Sequence, residues 1–134
     1  MTSQEDLARL TRSIPFAAHL GFELTRADES GVVVEAVVAS AYCTAGDTAH
    51  GGFLMALADY AGAAGALLAL PAGAKGTTTI ESKTNMIGAA RVGSRLRATA
   101  TPVHVGRRTS VWSTRIETQD GKLISLTSQT QLVL

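Results

Sequence analysis

The sequence predicts an α+β domain in which an antiparallel sheet curls around one long central helix. Three observations carry that expectation. Residues 51–70, GGFLMALADYAGAAGALLAL, form an apolar run too long for a strand and closed by Pro71 and Gly73, so they read as a helix. From residue 77 onward the chain keeps strand-like segments with a period of two. Two more such segments precede the helix, at 22–27 and 32–39. A helix that is apolar on all sides must be buried on all sides, and a sheet with one apolar face supplies the cover.

The 134 residues fit a single domain, 1–134, long enough for a real core. Residues 2–13 read as a short amphipathic helix: Thr2 and Glu5 have capping-box spacing, and Leu7 and Leu10 share a face. Pro15 and Gly21 frame a connector holding Phe16 and Leu20. The strands at 22–27 and 32–39 join at Glu29, Ser30 and Gly31, and a polar, irregular segment at 40–49 delivers the chain to the long helix. Residues 77–87 set Thr77, Thr79, Glu81, Lys83 and Asn85 against Thr78, Ile80, Ser82, Thr84 and Met86. Residues 94–105 set Arg95, Arg97, Thr99 and Thr101 against Leu96, Ala98 and Ala100. The strand at 109–118 leads to Asp120-Gly121, a two-residue hairpin signal, and 122–134 closes the chain.

Composition narrows the function. A net charge of +1 gives no reason to expect a nucleic-acid partner. The one cysteine, Cys43, excludes an internal disulfide framework and fits a reducing compartment. The amino terminus is too polar for a signal peptide, so a cytoplasmic location is expected. About 20 apolar residues are enough to span a bilayer. Asp59 at mid-run and the lack of a flanking Lys/Arg cluster weigh against a membrane span.

Asp59 is the only formal charge in residues 51–70. A buried carboxylate is costly unless it is paired, hydrogen-bonded or wanted for chemistry, so it is either a satisfied structural group or a reacting one. His50-Gly51-Gly52 opens the same helix. A helix start presents free backbone N–H groups and the positive end of the dipole, and glycine lets a ligand oxygen come close. That is the composition of an oxyanion hole; tight helix packing is the other use of such glycines. His50 is a candidate general base or a structural contact. Gly51 and Asp59 are eight positions apart, roughly 12 Å along a helix axis. One carbonyl group cannot meet both within one chain. If both act in one reaction, two antiparallel helices of two chains must bring them together, in a homodimer with shared sites.

Between Ser82 and Ile116 lie Lys83, Arg91, Arg95, Arg97, Arg107, Arg108 and Arg115, with no acid among them. Arg95 and Arg97 read as a solvated strand face. Arg107 and Arg108 follow Gly106 in a turn, where ligand contacts tend to lie, and such cations suit a phosphate-bearing anion.

HGG, six residues and then Asp59, followed by TIESKTNMI, GRRT and DGKLISLTSQTQLVL, closely resembles the hotdog-fold acyl-CoA thioesterases of the phenylacetate-degradation (PaaI) type. The resemblance covers roughly residues 39–134. It implies a sheet wrapped around a central helix, dimers with shared sites, usually paired into tetramers, and acyl-CoA hydrolysis without metal or other cofactor. It implies that Asp59 is nucleophile or general base and that the Gly51 N–H of the partner chain polarises the thioester carbonyl. Thr79 matches a hydroxyl near the carboxylate. Gly52, Arg91 and the turn Gly106, Arg107, Arg108 and Thr109 are where coenzyme A would be met. The family usually has Asn or Gln six residues before the histidine and Gly three before it; this chain has Thr44 and Asp47. Thr44 can still donate a hydrogen bond, with a shorter reach. A hotdog hydratase or dehydratase, or an acyl-CoA-binding module without chemistry, are the alternatives. An aryl or arylacetyl group is implied by the resemblance alone.

Overall fold

The computed structural model describes residues 2–134. Two short helices, α1 (Gln4–Arg12) and α2 (Pro15–His19), lead into β1 (Glu23–Asp28) and β2 (Gly31–Val37). After a 3-10 turn at Ser40–Tyr42, a small ribbon of β3 (Cys43–Thr44) and β4 (Thr48–Ala49) opens onto the long helix α3 (Gly51–Leu68). Four strands complete the chain: β5 (Thr77–Met86), β6 (Arg95–Val105), β7 (Thr109–Thr118) and β8 (Leu123–Val133). The main sheet runs β1-β2-β6-β7-β8-β5, antiparallel throughout, and wraps α3 in the hotdog arrangement.

Several local expectations are corrected. The cap of α1 is Ser3, not Thr2, with Asp6 completing the reciprocal box, so the helix begins one turn-position later. The connector at residues 15–19 is itself helical, because Pro15 presets the backbone of a first turn. The link between β7 and β8 spans residues 119–122, longer than a two-residue hairpin, with Gly121 in the left-handed region at φ 87°.

A β-bulge changes the reading of β5. Thr79 pairs with Gln131 but Glu81 pairs with Thr130, so Ile80 is the extra residue. The bulge swaps the faces: Thr77 and Thr79 are half-buried, then Ser82 and Thr84, while Glu81 and Lys83 stay exposed. Without it, the strict alternation that carries Thr79 inward would have carried both charges inward as well.

The core is apolar on one side of α3 and polar on the other. Leu57, Leu96, Ile116 and Ile124 are fully buried, each worth about 1.5–3 kcal/mol. The inward face of β8, however, reads Ser125, Thr127, Gln129 and Gln131, all buried. The helix fits this space because it is built from small residues, with Ala58 and Ala61 fully buried. A Cβ at Gly65 would lie 2.6 Å from Cζ3 of Trp112, a buried ring anchored by its own hydrogen bond to Ser110. Gly65→Ala should therefore lower stability by about 1–2 kcal/mol, overpacking outweighing the helix-propensity gain, as read from urea unfolding midpoints.

Helix α3 is long and apolar enough to cross a membrane by length and composition. It is the core helix of the domain. It is not, however, buried all round: Gly52 and Met55 are exposed, and Ala56, Asp59 and Ala63 half-buried, along one stripe at helical spacing. The sheet covers the opposite side. Near this stripe α1 is pinned to the helix by Thr11 Oγ1 and Tyr60 Oη at 2.7 Å.

Candidate functional site

Asp59 lies on the half-buried stripe of α3, with one carboxylate oxygen turned to the sheet. The Thr79 hydroxyl donates to Oδ1 at 3.0 Å. The Gln129 Nε2 reaches the same Oδ1 at 3.4 Å and the Asp59 backbone carbonyl at 3.4 Å. The bulge after Thr79 keeps that hydroxyl inward, and the register brings Gln129 across from Ser82 on β5 and Trp112 on β7. Oδ2 has no hydrogen-bond donor among the described residues. Beside Asp59 is an apolar cavity of about 130 Å³ lined by Ile14, Phe16, Phe22, Ala56, Tyr60 and Ala63. The carboxylate is thus anchored by one oxygen and open by the other.

The start of α3 forms a second group. His50 is its N-cap, and its Nδ1 accepts from the Gly52 N–H at 2.8 Å. An accepting Nδ1 is unprotonated, so the proton of neutral His50 sits on Nε2. The Gly52 N–H is therefore engaged within the chain. The Gly51 N–H has no acceptor among the described residues. Gly51 borders a cleft of about 350 Å³ with Leu54, Met86 and Ile87. Thr44 stands exposed in the ribbon opposite Thr48, and Thr48 also bridges to Arg91. Between them Asp47 holds φ 57°, a left-handed backbone that glycine adopts freely and aspartate tolerates.

Gly106, Arg107 and Arg108 form the exposed β6–β7 turn, closed by the Gly106 N–H to the Thr109 carbonyl at 2.9 Å. The Val133 N–H donates to the Arg108 carbonyl at 2.8 Å, and Val133 pairs with Thr77, so this turn lies at the Thr79 end of β5. Gly51 approaches Met86 at the other end. One chain therefore gathers Asp59, Thr79 and the 106–109 turn at one end of β5, and Thr44, His50, Gly51, Gly52 and Arg91 at the other. Asp59 and Gly51 border separate cavities.

The cation run resolves into two sets. Arg95 pairs with Glu23 and Glu35 at 3.2 Å each, Arg97 with Glu35 at 3.8 Å, and Arg115 with Glu117 at 2.7 Å. Among the described residues, Lys83, Arg91, Arg107 and Arg108 have no such acid. Gln129 and the bulge at Ile80 are what sequence reading missed. The misplaced phase of Glu81 and Lys83 was a signal for the bulge; Gln129 had none, since both faces of β8 carry polar residues there.

A model of the thioesterase superfamily matches residues 46–125. No curated protein matches the sequence. Among solved structures, a thioesterase of Haemophilus influenzae is 28% identical over 100% of this chain and 92% of its own, with TM-score 0.90. A point variant of the phenylacetic acid degradation protein PaaI of Thermus thermophilus is 29% identical over 90% and 99%, with TM-score 0.81. The PaaI protein of Escherichia coli shares the fold at 23% identity over 98% and 93%, with TM-score 0.86.

Proposed function

The chain belongs to the thioesterase superfamily, and on that premise we propose that it hydrolyses an acyl-CoA thioester to a free acid and coenzyme A, with Asp59 as the reacting carboxylate. The observation that carries this reading is the division of labour at Asp59: Oδ1 is held by Thr79 and Gln129, Oδ2 has no donor among the described residues, and the residue borders an apolar cavity. Oδ2 either attacks the thioester carbon, with the C–S bond breaking to release coenzyme A thiolate and leave an anhydride that water opens, or takes a proton from the attacking water, with the thiolate leaving as the tetrahedral intermediate collapses. The thiolate is protonated on release. In both routes negative charge grows on the thioester oxygen and needs a donor. The free Gly51 N–H of a second chain supplies it.

The split of the site residues between the two ends of β5 supports the shared site. β5 is a ten-residue edge strand with its outer side unpaired. Ile80, Met86 and Ile87 are exposed along it, and Met55 on the adjoining helix stripe. A long edge with an unpaired backbone is a template for pairing with another chain. Antiparallel pairing of β5 with its copy about a two-fold axis sets the Thr79 end of one beside the Met86 end of the other, and so each Asp59 toward the partner's Gly51. Association of such dimers into tetramers and a cytoplasmic location remain part of the proposal. Thr44 then adds a hydroxyl donor from the Gly51 end. His50 serves as the cap of α3 through its Nδ1.

The acyl group enters the cavity beside Asp59. Apolar cavities of about 150 Å³ accept benzene, so a compact aryl or arylacetyl group suits it. Arg107 and Arg108, with Thr109 after them, meet the phosphates of coenzyme A from one chain, and the partner's Arg91 and the partner's Gly52 from the other. A screen of thiol release across aryl and alkyl acyl-CoAs tests the activity; no hydrolysis of any of them overturns it. In the same assay, Arg107→Glu or Arg108→Glu should raise KM about tenfold and flatten its salt dependence while kcat holds, because these groups bind substrate and transition state alike. Unchanged KM would remove the turn from the coenzyme site.

A further inference from the structure

We propose that Gln129, seated in a notch left by Gly62, is a positioning residue that clamps Asp59 so that only Oδ2 is free to react. This rests on the reading of Asp59 as the reacting carboxylate. Gln129 is fully buried on β8, beneath α3. Its Nε2 lies 3.4 Å from Asp59 Oδ1 and 3.4 Å from the Asp59 backbone carbonyl, so one amide touches the side chain and the main chain of the same residue. With Thr79 on the same Oδ1, the carboxylate is fixed in rotation about its bond to the backbone.

The amide reaches that position only because residue 62 has no side chain. A Cβ at Gly62 would lie 2.2 Å from Oε1 and 2.3 Å from Cδ of Gln129. Gly62 follows Asp59 by three residues, hence on the same face of the helix. Trp112 is the ladder partner of Gln129 on the neighbouring β7, and its ring fills the next such gap, at Gly65.

The arrangement is not the one that packing alone would select. Gln129 Oε1 is buried with no hydrogen-bond partner. An apolar side chain of similar length would fill the same space without an orphaned acceptor. Two local rules are broken together: a glycine sits mid-helix, and a half-satisfied amide sits in the core. Gly65 and Gln131 break the same rules elsewhere, but of the two buried glutamines of β8 it is Gln129 whose amide meets the carboxylate the chemistry needs. Holding a reacting group in one rotamer raises the fraction of encounters that are productive, so the clamp acts on turnover and not on substrate affinity.

The test compares three variants of the full chain with wild type. Gln129→Met fills the volume and removes the donor. Gly62→Ala pushes aside the amide end of Gln129, a flexible tip, and leaves Gln129 itself in place. Gln131→Met is the control: Gln131 is equally buried, with neither amide atom partnered, and so makes no hydrogen bond to Asp59. The expected result is kcat about tenfold lower in the first two and KM within twofold, with melting temperature equal or higher in Gln129→Met and lower in Gly62→Ala, where the added Cβ overpacks a fully buried side chain; Gln131→Met is unchanged in kcat. If Gln129→Met keeps wild-type kcat while Asp59→Asn loses it, the clamp is wrong and the active carboxylate stands. If kcat of Gln129→Met falls only together with its melting temperature, Gln129 is a core residue and the proposal fails. A wild-type chain that cleaves no acyl-CoA removes the reading and the clamp together.

Discussion

Asp59→Asn should lower kcat by about 10²-fold or more while the protein folds and associates as before. Asparagine keeps the shape of the side chain. Its Oδ1 still accepts from the Thr79 hydroxyl and Gln129 Nε2, the two donors now on Asp59 Oδ1. What changes is the free position, where Oδ2 becomes an amide nitrogen with no lone pair for attack or proton abstraction. Burial also becomes easier, since a neutral amide loses less on leaving water than a carboxylate. Steady-state thiol release with a melting curve on the same sample separates the outcomes. Near-normal turnover would show that the carboxylate is not the reacting group. An unfolded variant would show that its work is structural.

Much of the fold was legible because its strongest signals are local. The run from Gly51 to Leu68 needs only length, apolarity and its closing Pro71 to read as a helix, and the strands β6 and β7 show alternation that the sheet keeps. The two ends of the site were legible for the same reason, as a carboxylate in an apolar run and a glycine pair at a helix start. The rest depends on contacts distant in sequence. The phase of Glu81 and Lys83 hints at a bulge, but its place at Ile80 is fixed by the ladder partners of Thr79 and Glu81, the consecutive Gln131 and Thr130, some fifty residues on. The inward face of β8 was illegible because Thr127, Gln129 and Gln131 alternate with Ser128 and Thr130, polar against polar. Only the position of Gly62 above the strand shows which face is inside. The exposed stripe on α3 was missed because apolarity was equated with burial in one chain, whereas an apolar stripe also suits an interface between two.

That interface is the central claim, and subunit mixing tests it directly. In the proposed dimer each site takes Asp59 from one chain and the Gly51 N–H from its partner. Gly51→Pro removes that donor with little cost to folding: Gly51 is the first helical residue, His50 already has the extended backbone that precedes proline at ψ 140°, and the nearest atom to an added Cβ is the flexible Met86 Cε at 3.3 Å. Alone, Gly51→Pro and Asp59→Asn homodimers should both be nearly inactive. A mixed dimer carries both defects in one site and none in the other. With random pairing half the dimers are mixed, and each has one intact site of two, so a co-refolded equimolar mixture should recover about a quarter of wild-type activity. If the mixture recovers nothing while both variants fold and associate, Asp59 finds its electrophile within its own chain and the shared site is contradicted.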